Sequence, residues 1–269
     1  ATASLKMTYC LAILSRAGLV MAADSRTNAG VDFVSTAQKL FDFSVPGERV
    51  ILLCTAGNLS MTQNILTLIR RDLKTQTATN LHTIPSMYEI VQYMGHLTRK
   101  VVEDNREWLE KDRIDGTCTF LVGGQVKGEL PELYMIYPQG NFLQATHETP
   151  YLQIGEIKYG KPILDRVIQY GNTTLDEAAK CALLSLDSTM KSNISVGPPI
   201  NLVMYETDSF HTDNRRKFLK GDPYLEQIRR SWENSLKQAF KDLPVLYWQQ
   251  PEDQHQAGNW LSPSNVYDL

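Results

Sequence analysis

Thr8 follows Met7, the context in which a methionine is removed ahead of a small residue. A threonine left at a chain terminus carries two useful groups on one residue. Its hydroxyl can attack a carbonyl. Its α-amine, with an unperturbed pKa of ~7.7–8.0, is partly neutral at cell pH and can take the proton. A lysine or arginine side chain in that role would be mostly protonated. In isolation Thr8 reads as a β-branched residue of an edge strand. The residues downstream change its weight. Asp24, in Asp24-Ser25-Arg26, closes a second strand, and Lys39 stands just ahead of a later one. Thr55-Ala56-Gly57-Asn58 joins a buried strand to a helix start. By themselves, Asp24 and Lys39 could be a structural ion pair and Gly57 a glycine that relieves crowding. With Ala1–Lys6 attached, Thr8 has an amide in place of an amine, so residues 1–6 are expected to be a non-native leader. No glycine precedes Thr8, so a self-cleaving Gly-Thr propeptide is not expected.

Other chemistries find little support. Cys10, Cys54, Cys118 and Cys181 are widely spaced in apolar or strand-like contexts, without a C-x-x-C, and read as buried free thiols. Cys10 falls on the same strand face as Thr8 and is also read as buried. The five histidines are dispersed. No H-E-x-x-H, phosphate-binding loop, G-x-G-x-x-G or G-x-S-x-G occurs, so no metal and no cofactor is expected.

The elements around these residues follow from periodicity. Residues 8–14 and 19–23 are short apolar runs joined at Arg16-Ala17-Gly18, a hairpin signal. Residues 33–36 and 40–43 read as a second pair. Residues 50–55 form an apolar run suited to a strand buried on both faces. Helical spacing then takes over, with Ile65, Leu66 and Ile69 on one stripe of residues 59–73. Met87, Ile90, Val91, Met94 and Val101 repeat behind Pro85, placed in the first turn, and polar residues 103–112 end that helix. Strands are expected at 117–122 and 133–137, with Gly123, Gly124 and Gly128 in their connection, and at 141–145. A helix at 161–170 follows. Thr174 and Glu177 form a capping box opening a helix to about residue 190. Residues 200–205 read as the last strand. Arg215, Arg216, Lys217 and Lys220 read as a solvated face. Asp222 and Pro223 then start a helix with a stripe of Leu225, Ile228, Trp232, Leu236 and Phe240, before a tail holding Trp248, Trp260 and Tyr267.

Strands and helices segregate in blocks, which argues against a Rossmann or barrel alternation and for two sheets between two helix layers. The 269 residues carry 27 Lys plus Arg against 30 Asp plus Glu, a net charge of −3, so no basic excess points to a nucleic-acid partner. No apolar stretch reaches the about 18 residues of a membrane span, and no export signal opens the chain.

Met-Thr-Tyr-Cys at 7–10, Asp-Ser-Arg-Thr-Asn-Ala-Gly-Val-Asp at 24–32, Lys39, Ala56-Gly57-Asn58 and Ser-Val-Gly-Pro-Pro-Ile at 195–200 together resemble proteasome β subunits, most closely the bacterial ancestral beta subunits. The likeness runs from about Met7 to Lys241. It implies an α+β fold, the four-layer αββα sandwich of N-terminal nucleophile hydrolases, over residues 7–210. Residues 211–269 would form a C-terminal helical extension and tail, packed on the core or on a neighbouring subunit. It implies a threonine peptidase or amide hydrolase with Thr8 as nucleophile, Asp24 and Lys39 as its acidic and basic partners, and the Gly57 backbone N–H as oxyanion donor. Lys39, held by Asp24, would lower the pKa of the terminal amine. It implies a homo-oligomeric ring or open ring in a bacterial cytoplasm, with peptide or amide as substrate, and leaves room for an ATPase partner. Two stretches depart from the family. Glu156 or Lys158 stands where a serine is usual, and Asn193 where an aspartate is usual, with Ser195 beside it still usable. The departures imply slower attack or an unusual substrate. A weakly active scaffold that binds a partner, and a non-proteolytic amide hydrolase of the same superfamily, are the alternative readings.

Overall fold

The structure, a computed structural model, describes residues 8–28 and 34–246. The expected leader, the start of the strand at Phe33, and the tail with Trp248, Trp260 and Tyr267 lie outside the described residues. The chain divides into two compact units, residues 1–229 and 230–269.

The first unit opens with β1 (Tyr9–Ser15) and β2 (Gly18–Ala23), buried along their whole length. β3 (Arg26–Asn28) and β4 (Val34–Thr36) pair as a small ribbon. β5 (Leu40–Asp42) and β6 (Arg49–Gly57) lead into α1 (Leu59–Lys74) and α2 (Met87–Lys111). β7 (Cys118–Val126), β8 (Glu132–Ile136), β9 (Phe142–Gln144) and β10 (Tyr151–Gly155) come next, then α3 (Lys161–Val167) and α4 (Leu175–Ser192). β11 (Ile200–Glu206), β12 (Arg215–Phe218) and α5 (Pro223–Lys241) complete the series, α5 running on into the second unit.

One antiparallel sheet has the order β10-β1-β2-β11-β12 and the other β5-β6-β7-β8-β9. Period-2 alternation decides which side chain goes where. Tyr9, Leu11 and Ile13 pack with α3 and α4, while Cys10, Ala12 and Leu14 point between the sheets. In β6, Ile51 and Leu53 pack with α1 and α2, while Val50, Leu52 and Cys54 meet the first sheet. Both faces of each sheet are therefore apolar and covered, which produces the four-layer αββα stack. Among the described residues no helix is long and apolar enough to cross a membrane.

Side chains cap the helices where the sequence placed them, with one shift. Thr174 and Glu177 form the capping box of α4, and the Asp222 carboxylate accepts the Tyr224 N–H at the start of α5. At α2 the cap is Ser86, accepting the Glu89 N–H, so Pro85 lies ahead of the cap and not in the first turn.

Several expected boundaries differ. β7 runs through Gly123 and Gly124 instead of turning there. A Cβ at Gly124 would lie 1.9 Å from the Val50 carbonyl oxygen, and one at Gly123 2.6 Å from Leu19. These glycines mark close approach inside a sandwich, not a turn. β10 carries no strand expectation from the sequence. Residues 200–205 are not the last strand, because Arg215 to Phe218, three exposed basic residues and one buried phenylalanine, pair with β11 as β12.

Candidate functional site

The register of β1 against β2 and β10 sets Thr8 at the entry to the first sheet, beside the exit of β2. Asp24, the residue after β2, is fully buried at 0%, and Thr8 and Lys39 are 9% and 4% exposed. The Asp24 backbone N–H donates to the Tyr9 carbonyl at 3.2 Å. Its carboxylate Oδ1 accepts the Tyr9 N–H at 3.0 Å and the Lys39 ammonium at 2.8 Å. Oδ2 accepts the N–H groups of Arg26 and Gly197, both at 3.2 Å. Lys39 Nζ donates also to the Arg26 carbonyl at 2.6 Å. Its own carbonyl accepts the Thr55 N–H at 2.9 Å, so β6 holds the lysine backbone in place.

Burial pushes the Asp24 carboxyl above the usual carboxylate value, while Lys39 and the N–H groups of Tyr9 and Gly197 pull it back. A buried carboxylate with three backbone N–H donors and a buried ammonium at 2.8 Å is not a surface ion pair. The carboxylate holds the N–H of the residue after Thr8, and the ammonium sits on the same carboxylate oxygen, in a setting where solvent screens the pair little.

Glu156 touches Thr8, and Asn193 and Ser195 follow it in a chain of hydrogen bonds. The Glu156 backbone N–H donates to the Thr8 carbonyl at 2.8 Å. Its carboxylate Oε2 accepts the Asn193 amide at 3.2 Å. Asn193, the C-cap of α4, accepts the Ser195 N–H at 2.9 Å, and Ser195 is buried. Gly57 lies outside these hydrogen bonds and pairs with Cys118 across to β7. It closes β6 with φ +103°, and a Cβ there would come within 2.3 Å of the Thr117 carbonyl oxygen, so the position requires glycine. Asn58 follows as the N-cap of α1, accepting the N–H groups of Ser60 and Met61, which sets Gly57 at the positive end of a helix.

The groups that sequence reasoning missed are mostly backbone: the N–H groups of Tyr9 and Gly197 and the carbonyl of Arg26. Every residue type offers these, so nothing in the sequence flags them. The side-chain contact between Glu156 and Asn193 was also missed, although each was noted by itself. Cys10 is buried, and burial first, with Cys54 beside it, raises its thiol well above the ordinary value. Burial pushes Cys118 and Cys181 up to about 12. All four cysteines are free and buried. Among the described residues no group of three or more His, Cys, Asp or Glu side chains could hold a metal.

Residues 6–204 match the family model described as proteasome subunit. Among solved structures, Anbu (ancestral beta-subunit) from Yersinia bercovieri is 46% identical, with a TM-score of 0.84, covering 90% of this chain and 100% of that one. A helical assembly of the Anbu complex from Pseudomonas aeruginosa is 44% identical, with a TM-score of 0.84 and coverages of 90% and 99%. Anbu from Hyphomicrobium sp. strain MC1 is 44% identical, with a TM-score of 0.80 and coverages of 89% and 100%. None of the curated proteins matches the chain.

Proposed function

The chain belongs to the proteasome subunit family, within its Anbu branch and with the αββα N-terminal nucleophile hydrolase fold, and we propose that it is a hydrolase of peptide or amide bonds with Thr8 as nucleophile. The observation that carries this reading is the buried Asp24–Lys39 pair, whose carboxylate holds the N–H of the residue next to Thr8.

The reading requires the Met7–Thr8 bond to be cut, which frees the α-amine. The neutral amine takes the hydroxyl proton as Oγ1 attacks the substrate carbonyl carbon. The Lys39 charge favours that neutral form by disfavouring a second cation nearby. The carbonyl oxygen gains negative charge as the tetrahedral intermediate forms, and the Gly57 N–H at the start of α1 is the proposed donor to it. Collapse breaks the C–N bond, the leaving nitrogen takes the proton from the ammonium, and an ester to Thr8 remains. Water, deprotonated by the same amine, adds to the ester, and Oγ1 leaves with the proton.

Self-assembly belongs to the same reading. A relative at 44% identity forms a helical assembly. Leu236, Phe240 and Leu243 are exposed on and just beyond α5, apolar surface of the kind that a neighbouring copy covers. Bacterial cytoplasm is the proposed place of action.

The test is the mass of the amino-terminal residue in protein taken from its native host, followed by treatment with a peptide epoxyketone. The expected result is a chain beginning at Thr8 that forms an adduct through both hydroxyl and amine, and no adduct in Thr8→Ala. A blocked terminus without an adduct overturns the reading in favour of a scaffold. Comparing parent and Thr8→Ala on peptide and simple amide libraries separates peptidase from amidase.

A further inference from the structure

We propose that Glu156 is a positioning residue for Thr8, acting with Asn193 to close a ring of hydrogen bonds around the nucleophile; this rests on the reading of Thr8 given above. The ring can be followed atom by atom. The Thr8 carbonyl accepts the Glu156 N–H at 2.8 Å. Glu156 Oε2 accepts Asn193 Nδ2 at 3.2 Å. Asn193 Oδ1 accepts the Ser195 N–H at 2.9 Å. Two residues on, the Gly197 N–H donates to Asp24 Oδ2 at 3.2 Å. Asp24 Oδ1 accepts the Tyr9 N–H at 3.0 Å, which returns the path to the residue bonded to Thr8.

Three segments distant in sequence are therefore locked to one another through Thr8. The backbone at Gly155 allows the close approach. Its φ is +86°, and a Cβ there would sit 1.9 Å from the Thr8 carbonyl oxygen. The ring holds the Thr8 peptide from its carbonyl side while Asp24 and Lys39 hold the next residue. The hydroxyl and amine of a terminal threonine both project from one Cα, and fixing the carbonyl and the following N–H fixes the peptide plane from which that Cα is placed.

The partner of the Glu156 carboxylate is Asn193 rather than a cation. Lys158 Nζ is 3.9 Å from the same oxygen, but its side chain is 66% exposed against 13% for Glu156. A rim charge of that kind contributes little. The amide at 193 is thus matched to an acid at 156. An aspartate at 193 would face the Glu156 carboxylate at hydrogen-bond distance, and the pair would have to separate or bind a proton.

That complementarity supplies the test. In full-length protein produced in its host, Asn193→Asp is expected to slow epoxyketone trapping at Thr8 by about tenfold or more, the scale expected for a displaced nucleophile. Adding Glu156→Gln restores an acid–amide pair with its polarity reversed, and should bring trapping back to within about threefold of the parent. Amide hydrogen exchange of the peptide holding Tyr9 and Cys10 should speed up in the single variant and recover in the double. Equal trapping and exchange in all three proteins overturns the proposal. So does a trapping loss that the double variant does not reverse while its thermal midpoint equals the parent's. If the parent itself is not trapped, the nucleophile reading has failed. The exchange data then decide the ring alone, with rescue by the double variant upholding it and unchanged exchange overturning it.

Discussion

Asp24 and Asp42 are aspartates at the ends of short strands in the same unit, and their surroundings push them in opposite directions. Asp24 is sealed, so burial outweighs Lys39 and the backbone donors and its carboxyl is raised. Asp42 also meets burial first, but the hydrogen bonds from Ser44, Thr212 and Arg215 outweigh it and its carboxyl is lowered. The Ser44 N–H lies at 2.9 Å, and Thr212 Oγ1 and Arg215 Nη2 each at 2.6 Å. The Asp42 side chain keeps 19% of its exposure, so its charge retains partial hydration. One cluster fastens β5 to the stretch before β12. The other holds a carboxylate and an ammonium in a dry place next to the residue after Thr8, where desolvating two ions costs stability.

The sharpest way to break the comparison is to remove one partner of the sealed pair. Lys39→Met leaves Asp24 to bind a proton or stand as an unpaired buried charge, and should cost about 3–5 kcal/mol in urea unfolding. Adding Asp24→Asn should recover much of that loss. Recovery in the double variant, together with lost trapping at Thr8, separates a pair kept for chemistry from one kept for stability.

Asp42→Asn should cost about 1–2 kcal/mol near pH 7, because it removes a charged acceptor of three hydrogen bonds. The depressed carboxyl contributes stability that is present above the unfolded value of about 3.9 and is lost as pH falls through the lower folded value. The difference between parent and variant should therefore shrink toward zero below about pH 4. The raised Asp24 has the opposite sign. Its stabilising neutral form is fully present below about pH 3.9 and is lost as pH rises through the folded value, so Asp24→Asn should gain relative to the parent on going from pH 4 to pH 7. Unfolding midpoints across that range check both. Smallest of all, Lys180→Ala breaks the Lys180–Asp176 pair on the open face of α4 and should leave the urea midpoint unchanged within error.

Legibility in the sequence varied with the range of the interaction. The β1–β2 hairpin, α1, and the caps of α4 and α5 rest on patterns within a few residues, and were readable. β12 was hidden because an edge strand with one buried side chain, Phe218, has too short an apolar pattern to register beside Arg215, Arg216 and Lys217. Gly123 and Gly124 misled because glycine signals both a turn and a close approach, and only the neighbouring strand shows which applies. Asp24 and Lys39 were picked out through resemblance to proteasome β subunits, since spacing alone leaves a structural pair equally open. Glu156 and Asn193 lie 37 positions apart and were noted only as departures from the family pattern.

Composition, strand and helix periods, helix starts and the threonine behind Met7 are properties of residues near one another along the chain, and the sequence alone determined them. The contacts at the site were decided by tertiary structure. Sheet order brings β10 and β2 against β1, and the register delivers Glu156 to the Thr8 carbonyl and Asp24 to the Tyr9 N–H. Hydrogen bonds between distant segments depend on positions that many unrelated sequences would satisfy with the same backbone groups. Such contacts leave no local mark, and they exist only once the two sheets have packed.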